Sequence, residues 1–132
     1  MKNRACIAGI GETAYTRGDG SGMSQEALQL QAAVRAIEDA GLTNKQIDGI
    51  IPFPNLGTAE PFAASLGIEN LRYAVTVHMG GAAPVASLQY AAMAVDSGMA
   101  NYVLIVGGWN GYSGRRTGEI VQQDVSSIPG GA

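Results

Sequence analysis

The segment from Val75 to Gly108 constrains the fold more than any other part of the sequence. It reads as an apolar strand, a turn at Gly80-Gly81, an alanine-rich helix and a second apolar strand that ends at Gly107-Gly108. A strand, turn and helix in this order direct backbone N–H groups into the turn, where they stabilise negative charge. Neither Cys nor Ser stands in the turn. The sequence therefore predicts a turn that stabilises negative charge but carries no nucleophilic side chain.

Apolar residues alternate between strand-like and helix-like spacing along the rest of the chain. Short apolar runs bounded by Gly or Pro indicate buried strands, and apolar residues three and four apart indicate amphipathic helices. The predicted strands are 5–10, 47–53, 73–78 and 102–106, and the predicted helices are 25–40, 59–66 and 83–97. This β-α-β-α-β-α-β order predicts an α/β fold with helices on both faces of a sheet.

Local signals fix several of these boundaries. Ser24 and Thr58 are predicted N-caps of the first two helices. Thr43 and Gln46 have the spacing of a capping box around a single turn, and Gly41 is expected to end the first helix.

The third predicted helix is apolar almost all the way round. A helix without a polar face must be covered on every side, and one sheet covers only one side. We therefore expect a second layer, contributed by a partner domain, a dimer mate or both.

Charge and composition exclude several classes of function. The net charge of −3 argues against a nucleic-acid partner, because phosphate recognition needs clustered Lys and Arg. One Cys excludes an internal disulfide and a multi-Cys metal site. No apolar run is long enough to span a bilayer. The short run 5–10 meets Glu12 too early for a signal peptide, which predicts a cytoplasmic protein.

Several segments together resemble the thiolase superfamily, specifically the sterol-carrier-type thiolases and their lipid-transfer-protein relatives. These segments are 7–13 (IAGIGET), 39–42 (DAGL), 47–50 (IDGI), 91–100 (AAMAVDSGMA) and 103–108 (VLIVGG). Counting back from Gly98 by the family's spacing places Gly81 at the position of the nucleophilic Cys. The resemblance implies that residues 1–108 are the N-terminal half of a thiolase-like fold. Residues 109–132 would begin a loop region and look cut off.

The resemblance also implies a reaction. Thiolases act on coenzyme A thioesters, and their remaining His and Cys residues come from the other half, so no catalytic residue is assigned in this sequence. Some members that lack the Cys are retro-aldolases, which cleave a steroid side chain held as a coenzyme A thioester and pair with a small OB-fold protein. We therefore expect Cys-independent carbon–carbon bond cleavage in the full-length form, with coenzyme A as part of the substrate and no covalently bound cofactor.

Other functions and partners stay open at this point. The competing hypothesis is a non-catalytic lipid- or acyl-CoA-binding or assembly subunit that keeps the fold but not the reaction. The expected partner is a C-terminal thiolase half or a homodimer mate, with a small OB-fold protein as a further candidate.

Five residues are candidates for binding. His78, Gly80 and Gly81 are expected to line a substrate site, with a structural imidazole and a tight glycine turn as the alternatives. Arg115 and Arg116 are expected to approach coenzyme A, with solvated surface charge as the alternative.

Two further features favour structural interpretations. Cys6, within an apolar run, is expected to be a small buried hydrophobe. Gly9-x-Gly11-x-x-Ala14 resembles a dinucleotide-binding fingerprint, but the required helix does not follow it.

Overall fold

The computed structural model describes residues 4–16, 21–53 and 58–110. Within these residues, three α-helices and two single-turn 3-10 helices surround a small sheet. The helices are α1 (Gln25–Asp39), α2 (Ala59–Leu66) and α3 (Ala83–Asp96), with 3-10 turns at Asn44–Gln46 and Gly80–Ala82. The strands are β1 (Gly49–Pro52), β2 (Tyr73–Ala74) and β3 (Val103–Val106). They lie in the order β2-β1-β3, and both pairings are parallel.

The helix boundaries follow the local signals closely. The Ser24 hydroxyl accepts a hydrogen bond from the Ala27 N–H at 3.1 Å, which confirms the predicted N-cap of α1. Gly41 follows α1 with φ of +68°, a conformation that favours glycine at a helix end. Helix α2 has its predicted bounds, but the Thr58 side chain makes no capping bond to the backbone. The Gln46 side chain accepts from the Thr43 N–H at 2.9 Å, as the capping-box spacing predicts.

The sheet has helices on both faces, as predicted. Helices α1 and α2 cover one face through a shared apolar core that includes Ile50, Leu104 and Val106. Helix α3 contacts β1 and β3 but contributes no residue to that core, which places it against the other face. Parallel strands need such crossover connections, because the chain must return to the same end of the sheet before the next strand begins.

The predicted first strand is wrong. Residues 5–10 form no strand, and none of the backbone hydrogen bonds in the described parts of the chain joins them to another strand. Ile7 and Ile10 are 69% and 75% exposed. Cys6 is exposed as well, so its predicted burial is also wrong. An apolar run predicts burial only where a neighbouring strand pairs with it, and here the segment lies beside α1 instead.

Close packing on α1 explains the glycines of this segment. A Cβ on Gly9 would lie 2.5 Å from the Ala36 carbonyl oxygen, and one on Gly11 would lie 2.3 Å from the Ala32 carbonyl oxygen. Only glycine allows two backbones to approach so closely. The glycines of the fingerprint-like motif therefore serve contact with a helix rather than a phosphate.

Gly11→Ala is expected to push the segment off α1. The added methyl group has no room, and such overpacking costs about 1–3 kcal/mol. The Ile10 N–H, which donates to the Asp39 carboxylate at 2.9 Å, then exchanges with solvent at least about tenfold faster in hydrogen-exchange mass spectrometry. Ala8→Ser, at an exposed neighbouring position, is the control and leaves this exchange unchanged.

Asp48 locks the start of β1 to the start of β3. Asp48 is 7% exposed, and its carboxylate accepts hydrogen bonds from the backbone N–H groups of Asn101 and Tyr102, both at 2.9 Å. The Asn101 side-chain amide donates a further bond at 3.0 Å. Arg72 lies 3.7 Å from the same carboxylate. One buried side chain thus fixes the register of two strands that are far apart in sequence.

Asp48→Ala is expected to destabilise the chain by about 2–4 kcal/mol, because the N–H groups of Asn101 and Tyr102 lose a charged acceptor that is itself buried. Urea unfolding followed by circular dichroism measures the change. Glu69→Ala removes an exposed carboxylate and shifts the midpoint little. Equal midpoints for the two variants would contradict the role given to Asp48.

Candidate functional site

The turn at Gly80 and Gly81 leads directly into α3. The 3-10 turn Gly80–Ala82 is closed by the Ala82 N–H, which donates to the Met79 carbonyl oxygen at 3.1 Å. Its C-cap, Ala83, already has helical φ and ψ of −54° and −42°. Gly80 adopts φ of +53°, so the turn needs glycine there. The structure therefore places Gly81 within one turn of the start of α3.

The surface around Gly81 is open. A Cβ at this position would meet no heavy atom within 4 Å among the described residues beyond its chain neighbours. His78, Gly80 and Gly81 are all exposed. Ala82 at the N-cap of α3 supplies no side-chain bond to the helix start. No side chain therefore caps the start of α3, where the Ala83 N–H donates to the Gly80 carbonyl oxygen and Pro84 has no N–H.

Several large apolar side chains of α3 are exposed. We call Val85, Leu88, Tyr90 and Met93 the outer α3 face; Val85 is 72% exposed and the other three are each at least a third exposed. Contiguous exposed apolar side chains mark contact surfaces. This exposure agrees with the expectation that another layer covers α3.

Two large cavities lie elsewhere on the chain. One, of about 520 Å³, lies between residues 11–16 and residues 107–110. The other, of about 570 Å³, separates residues 4–11 from β3. Neither is lined by His78, Gly80 or Gly81.

Solved structures of known proteins resemble this chain. No protein-family profile matches the chain. The chain superposes on the Ltp2-ChsH2(DUF35) aldolase with a TM-score of 0.72 and 32% identity, over 91% of this chain and 32% of that one. It superposes on a priming β-ketosynthase of the R1128 polyketide pathway with a TM-score of 0.56 and 25% identity, over 64% and 27% of the two chains. The chain is similar to thiolase-like proteins.

Curated relatives of this thiolase-like chain agree. It is 36% identical over 121 residues to a 17-hydroxy-3-oxo-4-pregnene-20-carboxyl-CoA lyase of Mycobacterium tuberculosis, covering 91% of this chain and 31% of the lyase. It is 38% identical over 119 residues to a steroid side-chain-cleaving aldolase of Thermomonospora curvata, covering 89% and 30%. The thiolase-like chain thus spans less than a third of these relatives. The fold and the family resemblance inferred from the sequence are confirmed.

Sequence reasoning missed Gln29. This side chain on α1 is 1% exposed, and its amide nitrogen donates to the Gly108 carbonyl oxygen at 3.0 Å. It lines up with Ala33 and Ile37 as the buried stripe of α1, whereas Val34 is 38% exposed. The spacing of four between these residues was the available signal. Gln29 fixes the Gly107-Gly108 end of β3 against α1.

Arg115 and Arg116, the other two candidate binding residues, lie outside the described residues. In residues 4–16, 21–53 and 58–110, no group of three or more His, Cys, Asp or Glu side chains is arranged to hold a metal ion. In the same residues, no helix has the length and apolar content needed to cross a membrane.

Replacing either glycine of the turn by alanine is expected to change the stability, with a different sign at each position. Gly80→Ala destabilises the thiolase-like chain by about 1–2 kcal/mol, because a Cβ is unfavourable at positive φ. Gly81→Ala has space and no positive φ, so it is neutral or stabilises by up to about 1 kcal/mol through the unfolded state. Thermal unfolding of both variants measures the difference. Destabilisation of the two variants by the same amount would contradict this geometry.

Proposed function

We propose that the complete protein containing this chain cleaves a carbon–carbon bond in an acyl-CoA thioester by a retro-aldol reaction, on a steroid or lipid side chain. The observation that carries the proposal is the turn at Gly81, which presents the start of α3 to open space without a nucleophile. The names of the two curated relatives, a CoA lyase and a side-chain-cleaving aldolase, support the same reaction class.

The proposed reaction needs no acyl-enzyme. A base removes the proton of a hydroxyl group on the carbon β to the thioester, and that carbon becomes a carbonyl as its bond to the α carbon breaks. The electron pair of the broken bond moves into the thioester as an enolate, and an acid then protonates the α carbon. Backbone N–H groups at the start of α3 stabilise the enolate oxygen. The acid and base lie outside the described residues in this proposal.

Each predicted site residue has a role in this proposal. Gly81 leaves room for the thioester where a side chain would stand, and Gly80 gives the turn its shape. His78, which is exposed two residues before Gly80, lines the site and offers an imidazole N–H to a carbonyl oxygen. Arg115 and Arg116 bind phosphates of coenzyme A, which enters as part of the substrate.

We propose that other protein surfaces cover the exposed parts of this chain. A C-terminal thiolase half or a dimer mate covers the outer α3 face, as the exposure of Val85 favours. A small OB-fold protein is a further proposed partner, and a structural relative is named for two proteins, Ltp2 and ChsH2(DUF35). We also propose a cytoplasmic location.

A second function fits the exposed apolar surface. A non-catalytic acyl-CoA-binding or assembly subunit would use the outer α3 face for association and leave the turn at Gly81 without chemistry. Such a subunit binds the thioester and does not consume it.

Gly81→Leu separates these functions. The complete protein is assayed with a steroid β-hydroxyacyl-CoA, and the shorter acyl-CoA product is measured by mass spectrometry. The isobutyl group of Leu displaces the thioester, so kcat/KM falls by about 100-fold or more while thermal stability is retained. The control is Ala64→Leu on the exposed side of α2, which keeps full activity.

Two outcomes would count against the proposal. Binding of the acyl-CoA without product, by the unaltered complete protein, identifies the non-catalytic subunit. A covalent acyl adduct on this chain, found by intact-mass spectrometry during turnover, contradicts cleavage without a nucleophile.

A further inference from the structure

Val85 borders the open space at Gly81. Gly81 lies in the 3-10 turn that continues directly into α3, and Val85 lies four residues further along, in the first turn of that helix. Residues four apart on a helix are neighbours on one face, and helical side chains lean toward the N-terminus. Val85 is 72% exposed, more than any other residue of the outer α3 face. Its side chain therefore leans toward the turn from the side that is open.

Met79 is a second exposed apolar residue next to this turn. Its carbonyl oxygen accepts the N–H of Ala82 at 3.1 Å, and its side chain is 56% exposed. No side-chain atom of Met79 or Val85 lies within 4 Å of a Cβ placed on Gly81. Carbon atoms in contact are about 3.5–4.0 Å apart. A carbon-sized group therefore fits above Gly81 before it touches either side chain.

The two side chains differ in stiffness. Val is branched at Cβ and strongly prefers one χ1 rotamer in a helix, so the methyl groups of Val85 have a fixed position. Met has three rotatable bonds and adapts to the shape of a neighbouring group. Val85 therefore limits the size of a group bound above the turn, whereas Met79 adjusts to it.

The apolar character of both residues indicates which part of a thioester they face. The pantetheine arm of coenzyme A carries amide groups, and neither a Val nor a Met side chain can hydrogen-bond to them. The α carbon of the acyl group is one bond from the thioester carbonyl, and an alkyl substituent on it is apolar. Such a substituent fits the space between Gly81 and Val85.

We propose that Val85 sets the largest substituent that the substrate can carry on the carbon next to its thioester carbonyl, with Met79 as the adaptable side of the same space. The identity of the bound group rests on the function proposed above. The layer that covers the outer α3 face closes this space from outside. Val85 thus determines specificity and takes no part in proton transfer.

The complete protein tests this with three β-hydroxyacyl-CoA substrates that carry hydrogen, methyl or ethyl on the α carbon. One carbon more or less in an apolar site changes discrimination by about 10- to 200-fold. Val85→Ala removes two methyl groups, so kcat/KM for the ethyl substrate rises at least about tenfold relative to that for the hydrogen substrate. Val85→Leu reaches further over the turn, so the same ratio falls at least about tenfold. Circular dichroism verifies the folding of each variant.

Two further variants separate size selection from a merely structural role. Val34→Ala is the matched control, because Val34 is a 38% exposed valine on another helix, and it leaves the ratio unchanged. Val85→Thr keeps the branched shape and therefore the ratio, whatever its effect on the individual rates. A structural role for Val85 lowers all rates by one factor and leaves the ratio unchanged in Val85→Ala and Val85→Leu, which would overturn the proposal. Either of these two variants decides the matter alone if the other does not fold.

Binding distinguishes failure of this proposal from failure of the retro-aldol proposal. Dissociation constants are measured by calorimetry for acyl-CoAs with the same three α substituents and no β-hydroxyl group. Absence of product from the unaltered protein contradicts the retro-aldol reaction, and the ratio of these dissociation constants then decides the role of Val85. A shift of at least about tenfold in favour of the ethyl compound in Val85→Ala supports that role, and an unchanged ratio overturns it.

Discussion

The buried carboxylate of Asp48 is the interaction on which the rest of the structure depends. By accepting the N–H groups of Asn101 and Tyr102, it sets the register of β3 against β1. Helix α3 is the crossover that brings the chain from β2 to β3, so its C-terminal end is fixed by the same contact. A crossover helix held at one end and packed against the sheet has its other end fixed too. The turn at Gly81 thus owes its position to a side chain outside the site.

The sequence predicted the features whose causes are local. Helices α1, α2 and α3 lie within two residues of their predicted bounds, because caps and apolar spacing act over one or two turns. The placement of Gly81 before α3 followed from the same signals. The orientation of α1 was predicted less well, since the buried position of Gln29 depends on its bond to Gly108, distant in sequence.

The predicted first strand failed for a physical reason of the same kind. The run from Ala5 to Ile10 has strand composition, but strand structure requires a neighbour that pairs with it. Here a groove separates the run from β3, and Gly9 and Gly11 allow it to pack against α1. His78 illustrates a different limit. Its exposure was not predictable, because it depends on whether another layer covers the surface around α3.

The central claim is that the start of α3 stabilises charge on a thioester oxygen without forming a bond to the acyl group. Infrared difference spectroscopy tests this most directly, on the complete protein with a thioester ¹³C-labelled at its carbonyl and lacking the β-hydroxyl group. Such a substrate analogue binds but cannot undergo retro-aldol cleavage. The account predicts a thioester band shifted to lower frequency by hydrogen bonds, and a smaller shift in Gly81→Leu. A band at the frequency of the free thioester, or loss of the thioester band through covalent attachment, would contradict it.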